Sequence, residues 1–446
     1  MSEQNELRRA VKSLETVRRA KDLLPSFFRK QEPNQSGGLA WAMVGISPEI
    51  LYAFDIPVEW PENYSTLCAS KLVSTQFIEQ AEADGYSPDL CSYLLNNMGY
   101  VSRMMELGGT VPPEAPKGGM GSPTMLLSAT VACDPRSKWF QSLSSRYMSD
   151  IPVFAFEAAS PPYDTEVGDP NVQDNYKALL RDSLQNMVTF LSQQTGRQID
   201  LARLRHAITV SHEQAKLIWE IHELRVAQPC PMGAEDFFSG CVIPMTYMTG
   251  QVESVDYLRR LRDELRDRVA KRIGVLKDER YRLLWVGLPP WYNLGFFNAI
   301  GDLGAVFPVE TMYFTGPPVD ADLSDPVEAI VERTWKRAEW ANSCSTEHIP
   351  EHFVPCNQTP AGSGLIRSWV KKFKLDGAIM HRTRTCRAMS WGQVHIKNLL
   401  AEEGIPSLII ESDMGDPRNW NQSTMMAQVR GLLSTIDSVR KTGAKA

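Results

Sequence analysis

Eight cysteines, at positions 68, 91, 133, 230, 241, 344, 356 and 386, carry the most versatile chemistry in this 446-residue sequence. The plainest setting belongs to Cys386. In Asp376-Gly377-Ala378-Ile379-Met380-His381-Arg382-Thr383-Arg384-Thr385-Cys386-Arg387 an apolar run ends at His381, a polar turn follows, and the cysteine opens a helical pattern. A thiol there sits near free backbone N–H groups and the positive end of a helix, which favours the thiolate, the form that binds metal or attacks a substrate. Cys91, just after Ser87-Pro88-Asp89, and Cys133, just before Asp134-Pro135, share that setting. Cys133 and Cys386 also follow expected strand ends, where ligands of open α/β sheets bind. Three such thiolates could converge on one centre. They would suit a [4Fe–4S] cluster with one iron left to a non-protein ligand, since soft thiolates select iron–sulfur, zinc or copper(I) over hard cations. Three unrelated buried cysteines fit the same positions, because Cys packs as a small apolar group. No C-x-x-C occurs, so the ferredoxin pattern is absent.

A second set competes. Cys344, His348, His352 and Cys356 are spaced by four throughout, and two thiolates with two imidazoles make a zinc set, but Pro350 and Pro355 interrupt any helix that would align them. Cys68 lies inside a helical pattern and reads as core. Cys230 and Cys241, in Pro/Gly-rich segments, read as structural. Five further positions could touch a substrate. Ser47 follows the first expected strand and Glu62 the second, although both also suit helix caps. His381 ends its strand and could donate a proton, or simply be a satisfied structural histidine. Trp291 and Tyr292, after the Tyr281–Gly287 run, could flank a ring or merely pack an interface. There is no phosphate-binding G-x-x-x-x-G-K-[ST], no G-x-S-x-G and no H-E-x-x-H; Gly118-Gly119-Met120-Gly121 does not stand between a strand and a helix.

The elements that must position these residues follow from hydrophobic patterning. Net charge is −6, from 47 basic and 53 acidic residues, and offers no nucleic-acid surface. The start, Met1 to Arg9, lacks the apolar core of a signal peptide, and no apolar run reaches membrane-spanning length, so a cytoplasmic protein with reduced thiols is expected. Residues 1–38 read as an N-terminal helical arm. Residues 39–165 alternate strand and helix, with Cys91 and Cys133 among them. Long helical patterns fill 166–277, and strands return in 278–435, which carries Cys386. The expected class is α/β: two doubly wound, flavodoxin-like parallel-sheet domains with an inserted helical domain.

Several short motifs, in order, resemble one family. They are Ser47-Pro48-Glu49 with Ala53-Phe54-Asp55-Ile56-Pro57-Val58, then Asp89-Leu90-Cys91-Ser92, Val131-Ala132-Cys133-Asp134 and Thr195-Gly196-Arg197-Gln198-Ile199-Asp200. Asp376-Gly377-Ala378-Ile379 ahead of Cys386, and Gly404-Ile405-Pro406-Ser407-Leu408-Ile409-Ile410-Glu411-Ser412-Asp413, complete the series. Over roughly residues 39–435 the chain resembles the benzoyl-CoA reductase / 2-hydroxyacyl-CoA dehydratase family. The resemblance implies that Cys91, Cys133 and Cys386 hold a [4Fe–4S] cluster. It implies a homologous second cluster-bearing subunit, ATP-hydrolysing iron–sulfur activator subunits, a ferredoxin as donor and an acyl-CoA substrate, without membrane or nucleic acid. Length and overall pattern point to the larger core subunit of an ATP-dependent benzoyl-CoA-type reductase, which reduces the ring to a cyclic diene by one-electron steps. Two alternatives stand beside it: a 2-hydroxyacyl-CoA dehydratase subunit, which eliminates water through a ketyl radical, and an electron-relay or structural subunit whose sister binds the substrate. Within the resemblance, Ser47, Glu62 and His381 are the candidates for stabilising the thioester carbonyl.

Overall fold

The computed structural model describes residues 7–29, 38–130, 133–157, 169–345, 363–390 and 392–443. Two four-stranded sheets organise it. The first comprises β1 (Ala40–Ala42), β2 (Val58–Glu59), β3 (Met125–Ala129) and β4 (Val153–Phe156), in the order β2-β1-β3-β4. The second comprises β5 (Tyr281–Val286), β6 (Ala305–Glu310), β7 (Gly377–Thr383) and β8 (Ser407–Ser412), in the order β6-β5-β7-β8. Every pairing is parallel. Each sheet thus places its second strand outside its first and adds the third and fourth on the other side. All six residues of β5 and of β6 are buried, as expected of parallel strands covered on both faces.

The expected strand over Leu39–Ile46 keeps only three residues in the sheet. Beyond Ala42 the chain turns away through Gly45, whose φ of 113° suits glycine alone. The helical pattern expected from Tyr64 to Asp84 is two helices, Pro61–Ser70 and Ser74–Ala83, separated where Leu72 takes a φ of 60°. The helical segment follows its signals closely. Asp200 caps Leu201–Leu224 by accepting from the N–H groups of Ala202 and Arg203, and Asp169 caps Pro170–Thr195, which ends on left-handed Gly196. This segment is locked to the second sheet by a buried fork: Arg225 reaches Glu310 of β6 at 2.5 and 2.7 Å, with both side chains at most 1% exposed.

The chain from Leu7 onward clasps both later units. Ser13 donates to Asp236, the N–H groups of Glu15 and Thr16 donate to Glu264, and Arg8 N–H donates to Asn293. Leu14 and Val17 are fully buried. The two sheets are tied directly as well. Ser74 Oγ donates to Gly415 O at 2.7 Å, and Arg418 pairs with Glu82 at 2.5 Å. Among the described residues no helix is long and apolar enough to cross a membrane.

Candidate functional site

Three cysteine loops meet where the carboxyl ends of the two sheets face each other. Cys91 is the N-cap of helix Ser92–Glu106, and Cys133 is the N-cap of helix Asp134–Arg146. Cys386 follows β7 by two residues, Arg384 and Thr385, and precedes a single four-residue turn of helix, Arg387–Ser390. The contacts that bring them together run through their neighbours in sequence. Ser92 N–H donates to Thr385 Oγ1 at 3.1 Å, and Thr385 Oγ1 donates to Asp413 Oδ2 at 2.5 Å. Asp413 is itself held by the N–H groups of Gly415 and Asp416. Arg387 Nη1 donates to Asp134 Oδ2 at 2.8 Å. The residue after Cys91, the residues on either side of Cys386, and the residue after Cys133 are therefore linked.

The thiols feel one another. Burial pushes the Cys91 thiol well above the ordinary range, and the charges of Cys386 and Cys133 push it further, against the N–H groups of Leu94 and Tyr93. Burial raises Cys133 too, with Arg136 pulling the other way. For Cys91 and Cys133 this runs against the expectation from local pattern, because desolvation outweighs the helix ends. The turn after Cys386 is also too short to supply a substantial dipole. None of Cys68, Cys91, Cys133, Cys230, Cys241 or Cys386 is in a disulfide, and Cys68, Cys230 and Cys241 are packed in the interior as read. Among the described residues no three His, Cys, Asp or Glu side chains are placed to hold a metal ion. The spaced set His348, His352 and Cys356 lies outside the described residues, as does the side chain of Cys344.

The other candidates take different places. Glu62 is 8% exposed, and both oxygens are used: Oε2 accepts from Val44 N–H at 2.8 Å, and Oε1 receives Arg136 at 2.9 Å. It braces the loop after β1 against the helix that Cys133 caps. The Ser47 hydroxyl donates to Glu49 at 2.7 Å and makes no cap. His381 is fully buried, with Nδ1 at 2.6 Å from Leu288 O and Nε2 at 2.6 Å from Ser412 Oγ. Burial drives its pKa down to about 4, which favours the neutral, satisfied structural histidine over the proton donor, the two readings its place at a strand end left open. Trp291 donates to the Tyr93 hydroxyl, and Tyr292 donates to Asp413 O at 2.8 Å. Both rings are buried walls of the site.

Pattern reading missed four residues. Tyr93 and Arg136 could have been noticed, being two positions after Cys91 and three after Cys133. Tyr247 and Tyr313 carry no local signal. Their charges and those of Cys386 and Cys91 all act on buried Tyr93, whose hydroxyl is pushed far up, first by burial. Tyr247 closes a short π-helix, Ile243–Tyr247, and Tyr313 adopts a φ of 65°; such irregularities concentrate at functional sites. Two buried polar atoms here have no hydrogen-bond partner among the described residues, Ser92 Oγ beside Cys91 and Trp60 Nε1, whose ring lies 5.6 Å from Tyr247. Outside Thr385 a cleft of about 750 Å³ opens. Five carboxylates and three arginines line it, and the arginines are paired: Arg418 with Glu82 and Asp416, Arg382 and Arg384 with Glu411.

The family model described as "2-hydroxyglutaryl-CoA dehydratase, D-component" matches residues 43–431. One benzoyl-CoA reductase subunit, from Thauera aromatica, is 25% identical over 415 residues, covering 89% of this chain and 88% of that protein. The (R)-2-hydroxyisocaproyl-CoA dehydratase alpha subunit of Clostridioides difficile is 24% identical, over 99% of this chain and 98% of its own length. The lactoyl-CoA dehydratase subunit alpha of Anaerotignum propionicum is 23% identical, over 96% and 98%.

Proposed function

Since the chain belongs to the 2-hydroxyglutaryl-CoA dehydratase D-component family, which brings together benzoyl-CoA reductase and 2-hydroxyacyl-CoA dehydratase subunits, we propose that it is a subunit of a 2-hydroxyacyl-CoA dehydratase. Its reaction removes water from a 2-hydroxyacyl thioester with no net redox change. The observation that carries the site is the linkage of Cys91, Cys133 and Cys386 through Ser92, Thr385, Asp134 and Arg387. Dehydration takes precedence over the ring reduction expected from the sequence for two reasons. The matching family model is a dehydratase component, and two of the dehydratase subunits align over 96–99% of this chain against 89% for the reductase, although the (R)-phenyllactyl-CoA dehydratase alpha subunit of Clostridium sporogenes aligns over 88%. Ring reduction stays as the second reading, favoured by the reductase's identity of 25% and by the aromatic walls at Trp291 and Tyr313.

Cys91, Cys133 and Cys386 would hold an iron–sulfur cluster. The donor set fits it: three soft thiols that repel one another as thiolates and gain from a cationic centre, with an orphaned hydroxyl at Ser92 alongside. A cluster is several atoms wide and holds its ligands further apart than a single ion does. Bound there, the cluster supplies low-potential electrons and a Lewis-acidic iron. The chain's own residues do the rest. Glu62 and Arg136 fix the Cys133 loop, Thr385 and Asp413 fix Cys386 against Cys91, and buried Tyr93 and Tyr247 stay protonated at every working pH. The Ser47 hydroxyl gives its one proton to Glu49, so a contact with the substrate carbonyl would require it to turn from that carboxylate. The strand order of both sheets, second-first-third-fourth, supports the flavodoxin-like reading, whose order runs 2-1-3-4-5. A second cluster-bearing subunit and an ATP-hydrolysing activator complete the assembly.

Anaerobic turnover by the assembled enzyme tests the reaction. A 2-hydroxyacyl-CoA should be dehydrated and benzoyl-CoA left intact; the reverse would establish ring reduction. The parent should carry about four iron and four sulfide at this site. C386A should lose them and C68A keep them, whereas iron-free parent protein with full activity would sink the assignment.

A further inference from the structure

An outer strand leaves a row of backbone N–H and C=O groups without a neighbour, and three of the four outer strands here are covered. Beside β2 lies the loop at Gly121, whose N–H donates to Glu59 at 3.2 Å. Beside β6 lies Arg225, which donates to Phe307 O at 2.9 Å. On β4, Phe154 meets Phe190 of helix Pro170–Thr195, with ring centres 5.2 Å apart. β8 is different. Ala378 N–H donates to Pro406 O and Arg384 N–H donates to Ser412 O, so alternate residues from Pro406 to Ser412 turn their backbone groups to β7. The N–H and C=O groups of Ser407, Ile409 and Glu411 therefore point away from the sheet. No hydrogen bond from a described residue meets them. In the 2-1-3-4-5 order a fifth strand lies on that edge.

The flanks of the edge are built to be covered. A groove of about 520 Å³ runs beside β8, lined by Lys397 and Ala401 of helix Gln393–Glu402, by Leu408, and by Leu432 and Thr435 of helix Gln422–Gly443. Two exposed apolar side chains extend it. Val394, 62% exposed, shares the face of Lys397 and Ala401, and Val439, 43% exposed, shares that of Thr435. Charge then narrows the occupant. Lys397 makes no ion pair with a described residue. At the far end of β8, Arg382 and Arg384 share one carboxylate, Glu411. Glu402 and Glu403 both serve Arg367. The edge is apolar in its middle and short of negative charge at both ends. A second copy paired antiparallel about Ile409 would set Lys397 of each chain beside Arg382 and Arg384 of the other, which repels.

We propose that β8 is a docking edge for the second subunit of the assembly. That subunit adds an extended segment as a fifth strand, apolar at its centre and carrying a carboxylate toward Lys397 or Arg384. The proposal rests on the reading of this chain as one subunit of an acyl-CoA enzyme.

Sedimentation of the full chain with the second cluster-bearing subunit, and amide hydrogen exchange of the complex, test it. I409P removes one outward N–H and leaves the bonds to β7 in place, and K397E reverses the charge at one end. I409P should weaken association about 10-fold or more, and K397E about 3-fold or more, with the K397E loss shrinking at high salt. In the parent, exchange at Ile409 and Glu411 should slow on assembly, while Leu408 and Ile410, already bonded to β7, change little. Variants that melt like the parent and associate as well as it does overturn the docking edge and leave the subunit reading standing. Unchanged exchange at Ile409 and Glu411 overturns strand addition. A parent that dimerises alone, and stops doing so in I409P, makes the occupant a second copy and overturns the proposal. A parent that never associates with a second subunit removes the subunit reading and the docking edge together.

Discussion

His381 has the right residue type, at the end of a strand, close in sequence to Cys386, and yet its surroundings hold the ring neutral. Both ring nitrogens are committed at 2.6 Å and the ring has no solvent contact. Its folded pKa of about 4 lies below the ordinary 6.5, so between those values the unfolded chain binds a proton that the folded chain does not. Stability supplied by the neutral ring is complete above pH 6.5 and is lost as pH falls toward 4. H381Q should flatten that loss by up to about 3 kcal/mol relative to the parent. Denaturant midpoints of both proteins across the window measure it, and parallel curves would mean that the buried ring protonates freely. His222, also buried and neutral, is present in both and cancels. Glu62 makes a similar point. A carboxylate after a strand reads as a substrate contact until its two oxygens are found holding Val44 and Arg136.

Helix Ser92–Glu106 carries Cys91, and its position is set by Gly99. A β-carbon there would lie 1.7 Å from Phe77 O in helix Ser74–Ala83. G99A must push the two helices apart, and a loss of about 3 kcal/mol or more is expected in thermal unfolding. Gly431, exposed in helix Gln422–Gly443 with nothing within 4 Å, is the control: G431A should gain about 1 kcal/mol. Equal responses would show that the close approach at Gly99 is not what sets the helix. The elements were legible in proportion to how local their causes are. Continuous apolar runs marked β5, β6 and β7, and Asp134-Pro135 marked the helix that follows Cys133, whereas the helix expected to start at Ser87-Pro88-Asp89 begins only at Ser92. The length of the Cys386 helix was not legible, nor was the break at Leu72. Least legible was the state of the thiols, because desolvation is set by residues from other units. Tyr247, Tyr313 and the Arg387–Asp134 link likewise depend on distant partners and leave no periodic trace.

At the scale of the molecule, the segment from Leu7 works as a clasp. Removing residues 1–19 takes away the donors to Asp236 and Glu264 and uncovers the sites of buried Leu14 and Val17. A loss of more than about 3 kcal/mol is expected, read as a lowered denaturation midpoint; an unchanged midpoint would make the arm dispensable. The two sheets were expected as parallel and similar, but their shared strand order and the meeting of their carboxyl ends came only with the fold. That meeting has a consequence for how the protein is made. Cys91 and Cys133 leave the ribosome early, and Cys386 follows about 250 residues later, which at about 5–20 residues per second is a wait of tens of seconds or less. During that interval two thiols of an incomplete site stand ready while the third does not yet exist. On the cluster reading proposed above, iron delivery would have to trail translation, and a nascent chain stalled before β7 could not be matured.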